Sequence, residues 1–83
     1  LNITNFPNPF TSRTTIQFST EGGHTLLQVF DTLGRLITVL ANKEYVAGTH
    51  RIDFDSEGLP PGIYYARLQN GIDQQVCPMM KVR

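Results

Sequence analysis

An all-β fold, a small immunoglobulin-like antiparallel β-sandwich of about seven strands, is what this sequence predicts. Three observations carry that prediction. Apolar and polar residues alternate with a period of two, and no stretch sustains a helical period. Turn signals built on Gly, Pro, Asn and Asp break the chain about every 8–12 residues. The runs fit within 83 residues, a strand density that suits an immunoglobulin-like sandwich.

The elements follow in order. Residues 1–5 are read either as a first strand or as the tail of a linker. Thr14 to Ser19 alternates, with Ile16 and Phe18 on one face and Thr15 and Gln17 on the other. Glu21-Gly22-Gly23 predicts a hairpin into the next strand. Thr25 to Asp31 places Leu27 and Val29 on one face. Asp31-Thr32-Leu33-Gly34 predicts a type I turn with Gly34 at the position needing positive φ. Leu36 to Leu40 is a short strand, and Ala47-Gly48 is a further turn. Thr49 to Phe54 alternates, with Ile52 and Phe54 inward, Arg51 and Asp53 outward, and His50 on the polar side.

Pro60-Pro61-Gly62 is a rigid corner leading to the strand from Ile63 to Leu68. The approach to Tyr64 resembles a tyrosine corner, in which the hydroxyl bonds back to upstream backbone. The plainer alternative is a half-buried strand aromatic. Asn70-Gly71 turns the chain into a weaker last strand, Gln75 to Val82, which Pro78 marks as an edge. The predicted core is Ile16, Phe18, Leu27, Val29, Ile52, Phe54, Tyr64 and Leu68.

Seven Lys plus Arg balance seven Asp plus Glu. A neutral chain has no broad pull on nucleic acid or anionic lipid. It also has little charge repulsion, which leaves weak homodimer formation open. No apolar run reaches the roughly 18 residues of a membrane span. The chain does not begin with Met and opens with no signal peptide, so it reads as a piece of a longer protein whose signal lies upstream.

Catalytic chemistry finds little to work with. A nucleophile, a base and an orienting acid are the minimum for hydrolysis. The candidates are Cys77, His24 or His50, and an Asp, and nothing in their spacing brings them together. Asp53, Asp55 and Glu57 could begin a cation site, but they lack the spacing of a calcium loop, and the preferred reading is that Asp55 and Ser56 bond to their own turn backbone. One cysteine and two histidines cannot complete a four-ligand zinc site. Tyr65 faces away from Tyr64 and is the best sugar-stacking candidate, although a platform of several aromatics is missing. The residues therefore predict no catalytic residues, no metal and no cofactor.

Four blocks stand in order along the chain. They are Phe6-Pro7-Asn8-Pro9-Phe10; Phe30-Asp31 with Gly34-Arg35; Gly48 and His50 with Phe54-Asp55; and Leu59-Pro60 with Gly62 and Tyr64. Together they resemble the type A C-terminal sorting domain of the type IX, or Por, secretion system of the Bacteroidetes. The resemblance covers about Asn5 to Arg83. It implies that residues 1–83 form a single, non-catalytic sorting domain behind a cargo domain in the same polypeptide. It further implies recognition by the outer-membrane translocon and removal by a sortase-like protease, with the cargo at the cell surface or secreted. Family members usually end on a Lys-rich strand carrying part of the signal. Here Cys77-Pro78-Met79-Met80 stands in that place, and the expected recognition residues are Lys81, Val82 and Arg83, with Arg83 the expected natural terminus.

Two further readings compete. The immunoglobulin-like module of flagellar hook-capping proteins shares the Asn-Pro-Phe start. It tends to carry Trp-Asp-Gly where this chain has Phe54-Asp55-Ser56. The other reading is a carbohydrate-binding or structural accessory module of an extracellular enzyme.

Overall fold

The structure, a computed structural model, describes residues 1–83. Seven strands form it: β1 (Asn2–Phe6), β2 (Arg13–Thr20), β3 (Gly23–Phe30), β4 (Leu36–Tyr45), β5 (Gly48–Asp55), β6 (Gly62–Asn70) and β7 (Asp73–Lys81). They make two antiparallel sheets, ordered β1-β2-β5 and β4-β3-β6-β7. The immunoglobulin-like sandwich predicted from the alternation is the fold observed. Residues 2–6 are a strand, paired with β2 from Asn2 opposite Ser19 to Phe6 opposite Thr15.

Period-two burial explains the layers. Ile16 and Phe18 from β2 meet Leu27 and Val29 from β3, with Phe54, Tyr64, Ala66 and Leu68 completing the centre. Seven of the eight predicted core residues are buried, and Ile52 is half-buried against the same cluster. Phe10, Cys77 and Met79 also enter the core. Phe10 comes from the irregular segment after β1, where no period exists to announce it.

Three expectations need correction. Glu21-Gly22-Gly23 does not close a hairpin. Both edges of β2 are taken by β1 and β5, so the chain crosses there to the other sheet. The crossover is fixed by the Asn70 side-chain amide, which donates to the Gly22 carbonyl at 3.0 Å and the His24 carbonyl at 3.3 Å. Gly22 and Gly23 both take positive φ, and a Cβ on Gly22 would meet the Ala47 nitrogen at 3.3 Å. The Ala47-Gly48 turn is likewise a crossover, from β4 to β5.

Second, β4 runs on to Tyr45, well beyond Leu40, with irregularities in its register opposite β3 at Leu27/Gln28 and Val29/Phe30. These break the alternation that marks a strand in sequence. Third, His50 lies on the inner side of β5 with Ile52 and Phe54. Its ring centroid is 4.7 Å from Tyr45 and 5.6 Å from Phe18, and its Nε2 is 2.8 Å from the Val46 carbonyl oxygen. The imidazole closes the end of the core with its polar atom on backbone.

Candidate functional site

The residues of the sequence blocks gather mainly at one end of the sandwich, where the first and last segments of the chain meet. Between β1 and β2, Asn8 to Phe10 lie along the outer edge of β7. Asn8 Oδ1 accepts the Met80 N–H at 2.9 Å, and Asn8 Nδ2 donates to the Pro78 carbonyl at 3.2 Å. Phe10 N–H donates to the Met80 carbonyl at 2.9 Å, and Val82 N–H donates to the Phe10 carbonyl at 2.8 Å. Pro78 fits this edge because its carbonyl already faces outward and it has no N–H to leave unpaired. The Phe6–Pro7 and Asn8–Pro9 peptide bonds of this strap are both cis. Thr14 Oγ1 donates to the Pro7 carbonyl at 2.8 Å and holds the strap from behind.

The strap is anchored inward as well. The Phe10 ring is 2% exposed and meets Phe54 edge-on, with centroids 6.2 Å apart. Just after Phe54, Asp55 turns outward: its Oδ1 accepts the Glu57 N–H at 3.0 Å, and its Oδ2 lies 3.6 Å from Arg13. Ser56 is fully buried. Its N–H and its Oγ both donate to the Ser12 carbonyl, each at 2.8 Å. The turn bond expected for Asp55 is made, but the Ser56 side chain reaches Ser12, 44 positions away, and not its own turn, a partner no local pattern could show.

The other blocks converge nearby. Tyr64 is buried, and its hydroxyl donates to the Pro60 carbonyl at 2.5 Å. The tyrosine corner is therefore formed. Gly62, with φ of 150°, starts the strand that carries it. Asp31 closes the β3–β4 turn. Its Oδ1 accepts from the N–H groups of Leu33 (2.9 Å) and Arg35 (3.0 Å), and its Oδ2 accepts from Arg35 Nε at 2.8 Å. The Arg35 backbone N–H chiefly, helped by the guanidinium and the Leu33 N–H, holds the Asp31 carboxyl below its ordinary range. Gly34 has φ of 79°, and its N–H bonds to the Asp31 carbonyl, as a type I turn leading to positive φ requires. Asp31, Arg35, Leu59, Pro60, Gly62 and Tyr64 line one surface hollow of about 430 Å³. Gly48 stands apart, at the opposite end of β5 from Phe54.

The terminal trio divides. Lys81 is half-buried, and its ammonium donates to the carbonyls of Ser56 and Leu59, each at 2.7 Å. Val82 and Arg83 are exposed. Even-numbered residues of β7 face the outer edge, so the strap covers that edge from Pro78 to Val82 and leaves it open at Gln74 and Val76.

The chemistry-bearing side chains have separate partners. Cys77 Sγ donates to Asn5 Oδ1 at 3.2 Å, and burial pushes its thiol up in pKa, away from a nucleophilic thiolate. His24 pairs with Asn42, and Asp53 accepts from Thr15. Asp53 and Asp55 thus serve different neighbours, and no group of three His, Cys, Asp or Glu residues converges on one point. Tyr65, 36% exposed, lies between Phe30 of β3 and Pro78 of β7.

A family model described as a secretion system C-terminal sorting domain matches residues 4–81. No curated protein matches the chain.

Proposed function

This chain belongs to the family of secretion-system C-terminal sorting domains, and from that premise we propose how its parts share the work of export. The domain is a C-terminal signal of type IX secretion. It directs an attached cargo across the outer membrane, to the cell surface or the medium, and the tail is cleaved. Its interaction is with the secretion machinery.

The finer reading is ours. Residues 1–83 act as a single non-enzymatic module, and the partners are the outer-membrane translocon and a sortase-like protease. The translocon reads the end of β7, at Lys81, Val82 and Arg83. The observation that carries this is the strap: Asn8 and Phe10 fix the end of β7 by four hydrogen bonds. Whatever projects beyond it has a defined position. Lys81, bonded inward, sets that position, while Val82 and Arg83 present the exposed surface. Strand addition by a partner suits the still-open edge at Gln74 and Val76.

A periplasm-directed reporter fused ahead of this domain tests the reading in a host with a type IX system. The intact fusion reaches the surface or medium. Deleting Val76 to Arg83 traps it in the periplasm, and Arg83→Ala lowers export while the domain stays folded. Cys77→Ser combined with His50→Ala leaves export unchanged in a domain still shown to be folded. Periplasmic retention of the intact fusion, in a host that exports its own cargo, overturns the reading.

A further inference from the structure

The outward faces of the two sheets differ in character. On β2 and β5 the outward residues include Thr15, Gln17, Arg51 and Asp53, an ordinary solvated surface. On the four-stranded sheet, the register sets Leu36, Phe30, Tyr65 and Pro78 in one row. Val39, Gln28, Arg67 and Val76 form the next. Leu36, Val39, Tyr65, Val76 and Met80 are each 36% to 52% exposed. Apolar side chains grouped this way on one face mark a contact surface.

Arg67 says what the contact carries. Its guanidinium lies 5.1 Å from the Phe30 ring centroid, and one terminal nitrogen donates to Gln28 Oε1 at 2.9 Å. Its Nε is buried and has no hydrogen-bond partner. The chain's two ion pairs are Arg13–Asp55 and Arg35–Asp31, so no carboxylate balances Arg67. A hollow of about 400 Å³ opens over Phe30, Asp31, Tyr65, Arg67 and Val76, and the Asp31 carboxylate in it is already taken up by Arg35. A partly desolvated cation with no carboxylate paired to it, bordered by apolar side chains, is complementary to a carboxylate set among apolar side chains.

We propose that this face docks a protein segment carrying one carboxylate flanked by aliphatic residues, with Arg67 as its counter-ion. The exposed neighbours are mostly aliphatic, which favours a protein surface over a sugar, whose rings stack on aromatic planes. A second copy of the chain fits poorly. Apart from Asp31, which Arg35 holds, the carboxylate that the register puts on this face is Glu44, opposite His24, four residue pairs along and two strands across from Arg67. A face-to-face pair matching Arg67 to Glu44 would leave the Tyr65 and Val76 end uncovered.

The test is an NMR titration of the full chain with a blocked heptapeptide that has one central glutamate between leucine and valine residues. Matched peptides carry glutamine or lysine at the centre. The glutamate peptide is expected to give saturable shifts at the Arg67 side chain, Tyr65 and Val76. The glutamine peptide binds about tenfold more weakly, the scale of one charge-assisted hydrogen bond, and the lysine peptide does not bind. Arg67→Gln brings the glutamate and glutamine affinities together, and Val76→Ser weakens both. Because the peptide series is read on the unaltered chain, a variant that fails to fold leaves the result standing. Equal binding of all three peptides, or no saturable binding, overturns the proposal. So does dimerisation through this face, or binding of galacturonate without the peptide.

Discussion

Lys81 and Ser56 are joined by a 2.7 Å hydrogen bond from the Lys81 ammonium to the Ser56 carbonyl, and the same ammonium reaches Leu59 at 2.7 Å. A cation at the end of the last strand thereby holds the loop between β5 and β6. Lys81→Met is expected to cost about 1.5–3 kcal/mol, the range for hydrogen bonds to charged groups. Arg83→Ala, at an exposed end, is expected to stay within about 0.5 kcal/mol. Urea unfolding of both variants measures the contrast, and it separates loss of folding from loss of recognition in any export assay.

Tyr64→Phe isolates the corner. Removing the hydroxyl leaves the Pro60 carbonyl without this donor. The expected loss is about 1 kcal/mol, rising to about 3 if the carbonyl remains dry. Thermal unfolding gives the answer, and an unchanged melting temperature would mean that water replaces the bond at no net cost.

Phe10 and Phe54 should behave as a pair. Each alone is expected to cost about 3–5 kcal/mol when cut to Ala. Their edge-on contact predicts a coupling of about 0.5–1.5 kcal/mol in a double-mutant cycle. Strict additivity would place the energy in separate cavities and deny that the strap is held through Phe54.

Acid should loosen the β3–β4 turn through Asp31. Its carboxyl titrates lower in the folded chain than in the unfolded one. Its contribution is therefore fully present above the unfolded value, about 3.9. It is lost as pH falls through the lower folded value. Asp31→Asn should flatten the part of the stability profile that lies in that window. A variant profile parallel to that of the unaltered chain would remove Asp31 from the acid response.

Much of the fold was legible because burial in a sheet repeats every second residue. Ile16, Phe18, Leu27 and Val29 announce themselves in that way, and Asp31 to Gly34 carries its own turn chemistry. His50 was misread because a polar residue at a strand start resembles a surface residue until Tyr45 and Phe18 are seen around it. Gly22-Gly23 has hairpin composition, and only the full pairing of β2 shows that the chain must leave the sheet. The candidate site was half legible. Its motif residues stood in the sequence, but the bonds from Asn8 to β7, from Ser56 to Ser12 and from Lys81 to Ser56 join distant segments without a local pattern.

The Val82 N–H donates to the Phe10 carbonyl across almost the entire chain, and the Met80 N–H donates to Asn8 Oδ1 across 72 positions. Such pairings form late, after the loop between them has been closed. A nascent polypeptide has its N-terminal strap long before it has the partner strand. Translation that halts before Val82 leaves the strap without its last bond, and halting earlier leaves no β7 at all. The fold of the sorting domain is therefore closed only when both of its end segments are present, and a domain cut short of β7 has nothing for the strap to hold.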